Sequence, residues 1–144
     1  MSDLYVVAYD DSPASQKALD FAIERARPTG ASLLIAHVLE WSPYSFLTPT
    51  ELEERHKRRT EEMDRAKTAL LDPVVVATRK KGIEVEAVIR YGNVADTLID
   101  IAEKKNANQI ILGRTGAAGV AARVFGSVAS SLAQASPVAC TIVP

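Results

Sequence analysis

Five short apolar runs recur along the chain, and a stretch with helical periodicity separates each run from the next. The runs are Leu4-Tyr5-Val6-Val7-Ala8-Tyr9, residues 32–38, residues 83–91, Gln109-Ile110-Ile111-Leu112 and Val138-Ala139-Cys140-Thr141-Ile142-Val143. The first is continuous rather than alternating, which is the pattern of a strand covered on both faces. The resulting order β-α-β-α-β-α-β-α-β predicts an α/β fold with one open, parallel, five-stranded sheet and helices on both faces. Right-handed crossovers restrict how the strands can be ordered. The 144 residues suit a single domain spanning 1–144, large enough to bury a core without staples.

Local signals place the helices. Ser12 followed by Pro13 reads as an N-cap with proline at the first helical position. Ala14, Ala18, Leu19, Ala22 and Ala26 form one stripe, and Pro28-Thr29-Gly30 ends the helix. Thr48-Pro49-Thr50-Glu51 is a capping box. The helix after it is expected to turn Leu52, Met63, Ala66 and Leu70 to the core, while its charged first half, 53–62, stands away from the body. Asp72-Pro73 is expected to end or kink it, with a second helical piece running through Arg79. Gly92-Asn93 reads as a turn before an amphipathic helix carrying Val94, Ala95, Leu98, Ile99 and Ala102. The last helix, 127–136, is expected to face Val128, Leu132 and Ala133 inward.

Composition narrows the function. A net charge of −1 gives no overall attraction to a phosphate backbone, so no nucleic-acid partner is expected. The single cysteine, Cys140, rules out an internal disulfide and a thiolate metal cluster. No apolar stretch reaches ~20 residues, so no membrane insertion is expected. The start shows no signal-peptide pattern, and a cytoplasmic location is expected.

The segment with most chemistry in it is Leu112-Gly113-Arg114-Thr115-Gly116, then nine residues, then Gly126-Ser127-Val128. Gly113 and Gly116 follow a strand, and without a Cβ they let the backbone approach a ligand or adopt positive φ. Gly126-Ser127 opens a helix whose first N–H groups are unpaired and attract anions. Ser127 can add a hydroxyl, and Arg114 and Arg123 can add countercharge. The alternative is that Ser127 only caps the helix, Arg123 is a solvated surface arginine and the glycines only turn the chain. Both readings stand on the residues alone.

The spacing G-x2-G-x9-G-[S/T], met at Gly113, Gly116, Gly126 and Ser127, resembles the nucleotide-binding signature of the universal stress protein family. The resemblance extends over nearly the whole chain: a first strand leading to Asp10 and Ser12, a second ending Ala36-His37-Val38, and Ala135-Ser136-Pro137-Val138 before the last strand. It implies the strand order 3-2-1-4-5 and an ATP site where strands 1 and 4 diverge. By the same resemblance Asp10 contacts the adenosine, Val38 offers main-chain hydrogen bonds to adenine, and Leu112 packs on the base or ribose. Gly113, Gly116, Gly126, Ser127 and Val128 wrap ribose and phosphates. Any Mg2+ is held through the phosphates. The sequence departs from the family's pattern at Ala129, where serine or threonine is common, and a phosphate or helix-start contact is expected to be missing there.

No P-loop and no G-x-G-x-x-G after the first strand occurs. The two histidines read as a packed core residue, His37, and a solvated one, His56, and no catalytic set is legible. The resemblance therefore implies an ATP-binding sensor or regulator with at most slow ATP hydrolysis. A nucleotide-independent interaction module and a slow ATP hydrolase are the alternatives. In this topology the last strand lies at a sheet edge, and pairing of residues 138–143 with a second copy predicts a homodimer. The aromatic stretch 41–47 and the charged helix after it are read either as a lid with a solvated helix or as a contact for an unidentified protein partner.

Overall fold

The computed structural model describes residues 3–40, 48–114 and 127–144. Over these residues β1 (Leu4–Ala8), β2 (Ser32–Glu40), β3 (Val85–Gly92), β4 (Gln109–Gly113) and β5 (Ala139–Val143) form one parallel sheet in the order β3-β2-β1-β4-β5. The helices are α1 (Pro13–Thr29), α2 (Pro49–Arg65), α3 (Asp72–Lys80), α4 (Val94–Lys104) and α5 (Ser127–Ala135), with a π-helical segment, Ala66–Leu71, between α2 and α3. The fold class and strand order are those the sequence and the resemblance imply.

The period-2 alternation of β1 explains why both faces of the sheet are buried. Tyr5, Val7 and Tyr9 join a core cluster with Leu19, Ala22 and Ile23 of α1 and Val75 of α3. Val6 points the other way, into a second cluster with Leu98 and Ile101 of α4 and Leu132 of α5. The caps follow their residues. Ser12 Oγ accepts the Ser15 N–H at 3.1 Å, and Gly30 closes α1 in the left-handed region at φ 71°. Thr48 Oγ1 accepts the Glu51 N–H at 3.2 Å at the start of α2. Asn93, read as a turn residue, is an N-cap whose Oδ1 accepts the Asp96 N–H at 3.0 Å.

Four expectations need correction. Leu52 is 51 % exposed and no residue of α2 is buried; Met63, Ala66 and Leu70 are half-buried, and Leu70 packs against the first core cluster. The α-helix ends at Arg65, before Asp72-Pro73. The π segment then carries the chain onward, with the Asp72 N–H bonding to the Lys67 carbonyl. A wider turn shifts the hydrogen-bond register, so Pro73, which has no N–H to give, falls in the first turn of α3. In α5 it is Ala129, 1 % exposed, that faces the core with Leu132, while Ala133 is exposed. Finally, β2 continues two residues past Val38, to Glu40, because β3 keeps pairing with it as far as Gly92.

Candidate functional site

The strand order places β1 between β2 and β4, and the chain crosses in opposite directions from these two neighbours. The carboxyl ends of β1 and β4 therefore part at a topological switch point, the usual ligand crevice of open α/β sheets.

On the β1 side, Tyr9, Asp10 and Asp11 turn the chain into α1. Asp11 sits at φ 62°, a left-handed conformation that a short polar side chain tolerates by bonding locally. Its Oδ1 lies 3.1 Å from the Tyr9 hydroxyl, which also lies 3.0 Å from Gln16 Oε1. Burial, and then the bond to Asp11, push the Tyr9 phenol up to about 12. Asp10 Oδ1 accepts the Ser12 N–H at 3.0 Å, and the Asp10 N–H reaches Ser15 Oγ at 3.3 Å. Ser15 Oγ in turn donates to the Ser12 carbonyl at 3.0 Å. The corner is thus fixed by its own side chains, and Asp10 already serves the helix start.

On the β4 side, Leu112 is 3 % exposed and packs in the second core cluster, so the side chain faces the core. Gly113 ends β4 against the first turn of α1. A Cβ there would come within 2.7 Å of the Ala14 carbonyl oxygen. The glycine is required by this close approach and not by positive φ, which is a packing reason that the sequence pattern does not reveal. The Arg114 N–H bonds to the Val143 carbonyl at 2.9 Å, and its side chain is exposed. Ser127 is exposed at the start of α5, and Val128 is half-buried against the second cluster. Gly116, Arg123 and Gly126 lie outside the described residues, as do the stretches 41–47 and 117–125.

On the β2 side, Val38 pairs with Arg90 of β3 and packs its side chain against the second cluster. Arg90 is drawn to α4 by Asp100 at 2.9 Å, where Lys104 also reaches the same carboxylate oxygen at 3.0 Å. These two cations, Lys104 first, hold the Asp100 carboxyl below the usual carboxylate range. The residue that sequence reasoning missed is His37. Its Nδ1 lies 2.7 Å from the Tyr9 carbonyl, so the ring ties β2 to the residue that follows β1. The one signal for it was an imidazole at a strand's carboxyl end, among apolar neighbours.

Asp10 follows β1, Gly113 ends β4, and Val38 lies on β2 just past the last residue that pairs with β1, so the three border one crevice. Among the described residues no group of three or more His, Cys, Asp or Glu side chains is arranged to hold a metal ion, and no helix is long and apolar enough to cross a membrane.

Comparison with known proteins agrees with this architecture. The sequence profile of the universal stress protein family matches residues 1–144. Universal stress protein UspA from Lactobacillus plantarum superposes with a TM-score of 0.85 and 25 % identity, covering 99 % of this chain and 97 % of that one. A universal stress protein solved in complex with cAMP superposes at 0.69 with 23 % identity over 99 % and 97 % of the two chains. One from Archaeoglobus fulgidus, solved in complex with dAMP, superposes at 0.65 with 22 % identity over 100 % and 98 %.

Proposed function

Because the chain belongs to the universal stress protein family, we propose that it binds an adenine nucleotide, ATP foremost, in the crevice between β1 and β4 and acts as a nucleotide-responsive regulator. The observation that carries this reading is the edge of β2 beyond β1. Ala36 turns its carbonyl toward β1, where it accepts the Tyr9 N–H at 2.9 Å. Strand alternation turns the N–H and C=O of Val38 to the same side, one step past the last paired residue of β1. A donor and an acceptor side by side match N1 and the exocyclic amine of adenine and mismatch guanine, whose corresponding groups are reversed. Relatives solved with cAMP and dAMP share that base and differ in their phosphates, which fits recognition centred on adenine. Asp10 flanks the crevice for the ribose. Gly113 and Ser127 bring main-chain and hydroxyl groups toward the phosphates, with Gly116, Gly126, Val128, Arg114 and Arg123 completing the wrap. A Mg2+ ion accompanying ATP is held through the phosphates.

The test is to purify the protein without added nucleotide, denature it and identify the released small molecules by mass spectrometry. Calorimetric titration with ATP and with GTP follows. Retained or titratable ATP, preferred over GTP by about tenfold or more, is the expected result. Absence of both overturns the reading. One observation then favours a nucleotide-independent interaction module: Gly113 is already required by its contact with Ala14. Single-turnover assays with ATP are expected to show at most slow hydrolysis. The edge position of β5 supports the further proposal of a homodimer through residues 138–143. Proline at Thr141 is expected to give a monomer by light scattering, and an unchanged dimer excludes this interface.

A further inference from the structure

A parallel ladder repeats every two residues, and that repeat fails at one place beside the crevice. Ala36 bonds to β1 on both sides of its register partner Ala8, and the last of these bonds runs from the Tyr9 N–H to the Ala36 carbonyl. The next bond of the series would run from the Val38 N–H to the Tyr9 carbonyl. Instead the Tyr9 carbonyl lies 2.7 Å from Nδ1 of His37. A carbonyl only accepts, so the ring must carry its proton on Nδ1 and donate. Beyond this point the chain swings away through Asp10 and the left-handed Asp11.

We propose that His37 is a positioning residue for the nucleotide site: its imidazole replaces the Val38 main chain as donor to Tyr9, ends the β1–β2 ladder one step early, and so keeps the Val38 N–H for a ligand. This rests on the crevice reading above and explains how an inward strand of a five-stranded sheet presents main-chain groups at all. Without a substitute donor, the part-buried Tyr9 carbonyl would claim the Val38 N–H, because an unpaired main-chain acceptor away from water is costly. The β3 side of β2 is unaffected, since residues 37 and 39 serve that ladder by the same alternation.

Amide hydrogen exchange on the nucleotide-free protein tests the device itself. In the wild type the Val38 amide exchanges at least about tenfold faster than that of Ala36. In His37→Phe it slows into the range of Ala36 as it takes over the Tyr9 carbonyl, and in His37→Asn, whose amide nitrogen stands near the position of Nδ1, it stays fast. A Val38 amide already protected in the free wild type, or unmoved in His37→Phe, overturns the proposal. Should His37→Phe fail to fold, the nitrogen shifts of the wild-type imidazole decide: protonation at Nδ1 supports the proposal and protonation at Nε2 overturns it. Calorimetry adds the functional arm. His37→Phe is expected to weaken ATP about tenfold, the loss of one hydrogen bond, and to leave inorganic tripolyphosphate unchanged, while His37→Asn restores ATP. Equal losses for ATP and tripolyphosphate mean a loosened fold and overturn it. A wild type that binds neither ATP nor tripolyphosphate defeats the nucleotide reading alone, and the exchange measurements still decide the role of His37.

Discussion

Two tyrosines on the same face of the sheet meet carboxylates in nearly the same way, and what they hold differs greatly. The Tyr9 hydroxyl lies 3.1 Å from Asp11, and that of Tyr91 lies 2.9 Å from Glu62 of α2 and 3.3 Å from the Arg59 carbonyl. Burial first, and then the carboxylate, push both phenols up to about 12. Tyr9, however, is 3 % exposed and sits in a corner also tied by Ser12, Ser15, Asp10 and His37. Tyr91 supports a helix with no buried residue, its ring 5.2 Å from the Arg59 guanidinium. The sequence of α2 makes it helical by local means. Glu53, Lys57, Glu61 and Arg65 alternate in charge at a spacing of four, each pair contributing a few tenths of a kcal/mol. The same bond therefore has different leverage: at the corner it is part of the cooperative core, and under α2 it sets how closely an autonomous helix lies on the body.

The corner should yield most to overpacking. Gly113→Val places side-chain carbon against the Ala14 main chain, where even a Cβ comes within 2.7 Å of oxygen. A loss of about 3 kcal/mol in global stability is expected by urea denaturation. A loss under about 0.5 kcal/mol would show that α1 can move aside and that the corner is less rigid than its bonds imply. Loss of ATP binding in this variant would report on folding, so it is a poor test of the nucleotide site.

A matched pair of caps sharpens the contrast. Ser12 and Thr48 are both N-caps followed by proline, one buried and one exposed. Ser12→Ala should lower global stability by about 1–2 kcal/mol, because it leaves the Ser15 N–H at a buried corner without its acceptor. Thr48→Ala removes the same type of bond, yet should change global stability by less than about 0.5 kcal/mol and raise amide exchange in the first turn of α2. Equal global losses would mean that α2 unfolds with the core and that the two regions are one cooperative unit.

These differences mark where sequence was legible. The caps and the two-faced burial of β1 follow from local chemistry and a continuous apolar run, the strand order is the one the family resemblance implies, and all three are present in the structure. What stayed hidden depends on neighbours distant in sequence. Leu52 sits at a helical position that looks inward, but the body does not extend beneath it. Gly113 looks like a phosphate-loop glycine, and its tight neighbour is Ala14, 99 positions earlier by the two residue numbers. His37 reads as core because nothing local says that the Tyr9 carbonyl lacks its ladder partner. Pro73 signals a break, but its placement follows from a π segment whose hydrogen bonds shift before it. The crevice follows from the strand order that the resemblance implies, whereas Gly116, Gly126 and Arg123 fall outside the described residues.

The smallest global effect is expected at Tyr91. Tyr91→Phe keeps the ring beneath Arg59 and removes the hydroxyl that meets Glu62. Global stability should move by less than about 0.5 kcal/mol, while local opening of α2 becomes about fivefold more frequent by amide exchange, the value of one hydrogen bond near 1 kcal/mol. Alkali gives the same comparison without mutation. Each phenol is harder to ionise in the folded protein than at its ordinary value of 10, so the stability it contributes is complete below pH 10 and is lost as pH rises toward about 12. Across that window the wild type should lose global stability through Tyr9 and contact of α2 through Tyr91. In Tyr91→Phe the second loss should vanish and the first remain. If the alkaline loss of global stability also vanished in Tyr91→Phe, the core would depend on α2, and the division between an over-tied corner and a lightly fastened helix would be wrong.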